Sequence, residues 1–241
     1  MGFRAKPASE KPKILLIASL AQASIDRLAD RVAGADAGLV HISKSSSGAK
    51  TMQKISQAVP DIPWGGRLGD SGQVKIEPMV EAGCDFVVFL AANTSLAILQ
   101  NDEVGKILEV EASLNEGLLR AVEGLPVDAV LIAREQEEMY SLTWHHLMLF
   151  RHFADLLTKP LLVPIPSRVT ANELQALWEA GVNGVVMEVG VGQPAGGLAA
   201  LRQAIDKSTF TPHRRRGRPG ALLPHIGGEM DIIAEEEEEE L

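Results

Sequence analysis

The 241-residue chain is 46% hydrophobic and 23% charged, with a mean hydropathy of +0.06, so it can bury one large core without disulfide or metal staples. Its net charge of -9 argues against a nucleic-acid surface, which needs clustered Lys and Arg, although much of the acid sits in the run 235–240. The lone cysteine, Cys84, suits a reducing compartment, no apolar run approaches the ~20 residues of a membrane span, and the first residues lack a signal-peptide stretch. A cytoplasmic protein with no nucleic-acid or membrane partner is expected.

In chain order, residues 1–10 read as a flexible lead-in. An apolar segment follows at 13–18, then helical spacing over 24–32, then the phrase Ala35-Asp36-Ala37-Gly38-Leu39-Val40. A helix over 48–58 leads to the glycine-rich segment 62–66, and a helix over 73–82 leads to Cys84-Asp85-Phe86-Val87-Val88-Phe89. A short helix over 96–101, an apolar segment at 106–111 and a helix over 115–122 precede Val127-Asp128-Ala129-Val130-Leu131-Ile132. A long helix over 141–157, the segment 160–165 and a helix over 170–180 precede Val182-Asn183-Gly184-Val185-Val186-Met187, and a last helix covers 198–207.

One phrase thus recurs four times: a small or apolar residue, Asp or Asn, then an apolar run. Gly34, Gly83 and Gly181 stand just before three copies and Pro126 before the other, which reads as helix end, turn and buried strand. Ser24, Ser71, Asn115, Ser141 and Thr170 are N-cap candidates, and Thr170-Ala171-Asn172-Glu173 has the capping-box pattern. Eight strands alternating with eight helices over 11–209 predict an α/β fold, a single-domain (βα)8 or TIM barrel. An open doubly wound sheet is the alternative if 62–66 is only a loop. From 210 to 241 the chain turns basic (213–218), then apolar, then acidic, and reads as a flexible charged extension. It is either a solubilising tail or a docking peptide gripping a partner or neighbouring subunit through 222–226.

Barrel chemistry belongs at the C-terminal strand ends, which selects Ser19, His41, Lys44, Arg67, Asp70, Asn93, Thr94, Glu109, Glu111, Arg134, Glu135, Ser167, Arg168, Glu188, Gly190 and Gly192. Period two puts Glu109 and Glu111 on one face of the fifth strand, pointing inward. Buried carboxylates need partners or a purpose, and Arg67, Arg134, His41 and Arg168 are the candidate partners. The group is either a charge network filling the barrel or a general base or metal ligand among Glu109, Glu111 and Glu188, with Arg67, Lys44 or Arg134 stabilising negative charge. Ser167 and Arg168, with Gly190, Gly192, Gly196 and Gly197, suit an anion at a helix N-terminus, while Glu188 would repel it unless it faces away. No nucleophile elbow, Walker loop or clustered Cys/His site occurs, His145 and His146 sit in an ordinary amphipathic helix, and Lys44 is the only mouth lysine, which disfavours Schiff-base chemistry.

The stretch Ala180-Gly181-Val182-Asn183-Gly184-Val185-Val186-Met187-Glu188-Val189-Gly190, with its glycine-rich loop and following helix, resembles the last quarter of the ribulose-phosphate-binding and related phosphate-binding barrels. Glu188 and Pro194 depart from the usual second glycine motif. The resemblance implies a phosphorylated small metabolite, or a flavin phosphate such as FMN, as the bound partner. A divalent metal and a homo-oligomer stay open. Two readings follow: a lyase, isomerase or synthase acting on a phosphorylated substrate, or a non-catalytic barrel that binds partners through its charged tail.

Overall fold

The repeated Asp and Asn residues perform one structural task four times in the computed structural model, which describes residues 13–20, 27–43, 45–69, 75–134, 141–190 and 196–210. Among these, the chain runs β1 (Leu15–Leu20), α1 (Leu28–Val32), β2 (Ala37–Ile42), α2 (Ser45–Ala58), β3 (Trp64–Leu68), α3 (Glu77–Glu81) and β4 (Phe86–Leu90). A 3-10 turn (Leu96–Gln100) then leads to β5 (Gly105–Val110), α4 (Glu116–Val122), β6 (Ala129–Ile132), α5 (Trp144–Leu156), β7 (Leu161–Ile165), α6 (Ala171–Glu179), β8 (Gly184–Glu188) and α7 (Gly197–Lys207). The strands pair in parallel in sequence order, and β8 closes on β1 with Ile17 opposite Val186. The closed barrel removes the open-sheet alternative, because 64–68 is a full strand paired on both sides.

Each repeated phrase clamps the start of the strand before it. Asp36 Oδ2 accepts the Leu16 N–H at 2.8 Å, Asp85 Oδ2 that of Trp64 at 2.8 Å, Asp128 Oδ2 that of Lys106 at 2.7 Å and Asn183 Oδ1 that of Leu161 at 2.9 Å. The same four residues donate their own N–H groups back to the carbonyls of Leu16, Trp64, Lys106 and Leu161 at 2.8 to 2.9 Å. Buried backbone groups must find partners, and the clamp supplies two per strand start. The glycines before three of the phrases hold φ of +90° (Gly34), +92° (Gly83) and +97° (Gly181), the left-handed turn that ends a helix without a Cβ clash.

Strand alternation splits the apolar residues into two cores. Ile17, Leu39, Val88, Ile107, Leu131 and Leu162 pack inside the barrel, and Leu16, Val40, Val87, Leu108, Val130 and Val163 pack outward under the helices. Gly65 looks weak in a strand but is required there: a Cβ would lie 2.2 Å from the Phe86 ring.

Several element boundaries differ from those the sequence predicts. β1 and β3 begin two residues later than the apolar runs at 13 and 62, and the carbonyl of Pro63 serves only as a lead-in acceptor for Gly38. Helix α5 is capped by Thr143, not Ser141; Thr143 Oγ1 accepts from the His146 N–H, and His146 Nδ1 accepts from the Thr143 N–H at 3.0 Å. A histidine standing in for Glu in a capping box hides that start from the usual pattern. Phe210 belongs to the barrel and not to the extension, since it is 5% exposed and packs on Trp178 with ring centroids 5.1 Å apart. Asn115 and Thr170 cap α4 and α6 as expected. The Ser24 and Ser71 caps, residues 1–10 and the extension beyond 210 lie outside the described residues.

Candidate functional site

Parallel strands in a barrel deliver their last inward side chains to one rim. Here Ser19 from β1, Arg67 from β3, Glu109 from β5 and Glu188 from β8, with Arg134 two residues past β6, line one cavity at the C-terminal end. Glu109 is 3% exposed. Both its oxygens accept from Arg67, Oε2 from Nε at 2.9 Å and Oε1 from Nη2. On the opposite wall Arg134 Nη1 donates to Glu188 Oε2. Two guanidiniums and two carboxylates therefore leave the cavity without net charge, and the free space between them is about 30 Å³, room for a few water molecules.

This pairing answers one objection from the sequence. Glu188 turns into the barrel mouth onto Arg134, where its charge is neutralised before it can oppose an anion at the glycine loop. Glu111 departs from expectation: it lies one residue beyond β5, is exposed, and accepts from the Ser113 hydroxyl at 3.2 Å. The inward alternation that buries Glu109 ends with the strand, so Glu111 is a rim residue and does not line the cavity. His41 is likewise exposed on the rim, and Arg168 is exposed and pairs with neither carboxylate.

The second predicted constellation comes together in part. Helix α7 starts at Gly197 after Gly196, whose φ is +100°, and no side chain caps it. Its first N–H groups lack intrahelical acceptors. A Cβ on Gly197 would lie 4.0 Å from the Ser167 carbonyl oxygen, so the segments after β7 and β8 meet there. Among the described residues Arg168 has no ion pair. Gly190 is half-buried with open space beside its Cα, while Lys44, Asp70, Glu135 and Gly192 lie outside the described residues. One contributor was invisible in the sequence: Arg31 of α1 donates through Nη2 to the Val189 carbonyl at 3.0 Å, fixing the residue just before Gly190. No spacing signal links positions 158 residues apart.

Among the described residues no group of three or more His, Cys, Asp or Glu side chains could hold a metal ion, and no helix is long and apolar enough to cross a membrane. Cys84 is buried and donates to the Phe86 carbonyl at 3.2 Å; burial pushes its thiol up to about 12.

No protein-family model and no curated protein matches the chain. Solved structures do. Thiamine phosphate pyrophosphorylase from Pyrococcus furiosus superposes with a TM-score of 0.62 at 11% identity, covering 80% of this chain and 96% of that one. A 3-hexulose-6-phosphate synthase gives 0.59 at 18% identity, covering 80% and 100%. Orotidine 5'-phosphate decarboxylase from Pyrococcus horikoshii gives 0.60 at 13%, covering 80% and 100%. The chain shares their (βα)8 fold. At these identities the likeness concerns the barrel alone.

Proposed function

We propose that this barrel is a small-molecule enzyme of the lyase, isomerase or synthase kind that takes a phosphorylated metabolite at its C-terminal mouth. The observation that carries the reading is convergence: Ser19, Arg67, Glu109, Arg134 and Glu188 reach one cavity from five places in the barrel, at the end where barrel enzymes place their chemistry. The uncapped start of α7 at Gly196 and Gly197 has the Ser167 carbonyl beside it, and Arg168, the next residue, is exposed and has no ion pair among the described residues; with the open space at Gly190 this offers N–H groups and a cation to a phosphate. The names of the three structural neighbours, each containing a phosphate compound, support the same substrate class.

In this reading Glu109, the buried carboxylate of the cavity, moves the proton, and Arg67 fixes its orientation through two hydrogen bonds. Arg134 meets negative charge that develops on the substrate. A flavin phosphate such as FMN would use the same anion site. The test is a thermal-shift series with inorganic phosphate, sugar phosphates, FMN and divalent metals, where a ligand at 100 times its dissociation constant adds about 2.7 kcal/mol to stability. The expected result is a shift confined to phosphorylated compounds and lost in Arg168→Ala.

One observation favours a second reading, a non-catalytic binding or scaffold barrel. The charged groups that line the cavity pair off, Arg67 with Glu109 and Arg134 with Glu188, and leave only about 30 Å³ between them. Under that reading none of the compounds shifts the melting temperature.

A further inference from the structure

On the outer surface, at the same end of the barrel as the mouth but on its helical side, the described residues form an apolar groove. It lies between the first turns of α5 and α6 and is lined by Leu142, Thr143, Trp144, Leu147, Glu173 and Ala176. The groove encloses about 150 Å³, a volume that holds a benzene-sized apolar group. Trp144 stands at its edge 82% exposed, and Met148, one turn on, is 69% exposed. The other two tryptophans, Trp64 and Trp178, are 1% and 5% exposed. An indole left in water next to an apolar groove is the kind of surface that monomers rarely leave uncovered.

We infer that the groove is the docking site for this chain's own C-terminal segment 222–226, Leu222-Leu223-Pro224-His225-Ile226. Three observations select this occupant. The first is where the described chain ends: Phe210 packs on Trp178 near the end of α6, the helix that forms one wall of the groove. From Trp178 back to Glu173 is about 8 Å along the helix axis at 1.5 Å per residue, and α6 is about 10 Å across. The second is reach, since the residues between Phe210 and Leu222 span up to roughly 40 Å when extended.

The third is charge. Helix α6 (Ala171–Glu179) carries Glu173 and Glu179 and neither Lys nor Arg. Arg151, which donates to the Glu179 carbonyl from α5, is already paired with Asp155. The segment that must cross α6 on the way to the groove, 213–218, contains Arg214, Arg215, Arg216 and Arg218. Basic chain over an acidic helix, followed at once by Leu222 and Leu223 beside an apolar groove, is complementary in both charge and polarity.

Trp144 is the reporter. In the full-length chain, acrylamide quenching of tryptophan fluorescence reads its exposure, and Trp144→Phe identifies its contribution against the two buried indoles. The double variant Leu222→Asp/Leu223→Asp changes only the segment. Docking predicts that Trp144 is shielded in the parent chain, that quenching rises severalfold in the double variant, and that shielding is unchanged on dilution. Equal quenching of parent and double variant overturns the proposal. Shielding that disappears on dilution also overturns it, because the occupant is then a second copy of the chain. The outcome is independent of whether the mouth binds phosphate.

Discussion

Glu109 is 3% exposed inside the barrel and both its oxygens accept from Arg67, so removing Arg67 leaves a buried carboxylate without its cation. Breaking a buried pair by deleting one partner costs roughly 3–5 kcal/mol, whereas replacing both partners with apolar groups is often neutral. Arg67→Ala is therefore expected to lose about 3 kcal/mol in urea unfolding, toward the low end because the Arg67 side chain is 33% exposed. Arg67→Met/Glu109→Leu should recover most of that loss. The clamp residues make a similar contrast. Asp128→Ala leaves the buried Lys106 N–H without its acceptor, at a cost of about 1–3 kcal/mol. Asp128→Asn keeps an oxygen in place, as Asn183 does on the Leu161 N–H, and should cost well under half as much in the same measurement.

At the scale of elements, the order and kind of strands and helices were legible because buried parallel strands and capped amphipathic helices leave strong periodic marks. The four Asp or Asn phrases mark the even strands by residue, yet their purpose is not legible, because the hydrogen bond that the Trp64 N–H donates to Asp85 spans 21 positions and leaves no local pattern. Glu109 and Glu111 show where reading by alternation stops. Period two holds while the strand lasts, and β5 ends at Val110, so one carboxylate is buried and its neighbour is exposed. Which arginine meets which carboxylate depends on strand stagger around the barrel, a property of closure and not of any segment. The cap of α5 lies two residues beyond the predicted Ser141 because His146 completes its capping box with Thr143. Thr143→Ala should therefore lower stability by about 1 kcal/mol, and Ser141→Ala by much less, when both are compared by thermal unfolding.

For the whole molecule, Cys84 is a probe of global opening. Its thiol is buried and pushed from 9.0 up to about 12, so a thiol reagent at neutral pH should label it only when the barrel opens, and labelling rates should track unfolding in urea. The sign of its pH dependence follows from linkage. The folded thiol keeps its proton where the unfolded one has lost it, so this contribution to stability is complete below about pH 9 and falls away as pH rises toward 12. The clamps have a consequence for how the molecule can be divided. Each ties an odd strand to the even strand that follows it, so the barrel consists of four stapled quarters: β1 with β2, β3 with β4, β5 with β6 and β7 with β8. A nick between Asp102 and Glu103 separates quarters and leaves every staple within one fragment. A nick between Gly124 and Leu125 puts Lys106 and Asp128 on different chains. Co-expressed halves from the first cut should reassemble into a barrel more readily than those from the second, because the first asks only neighbouring quarters to find each other.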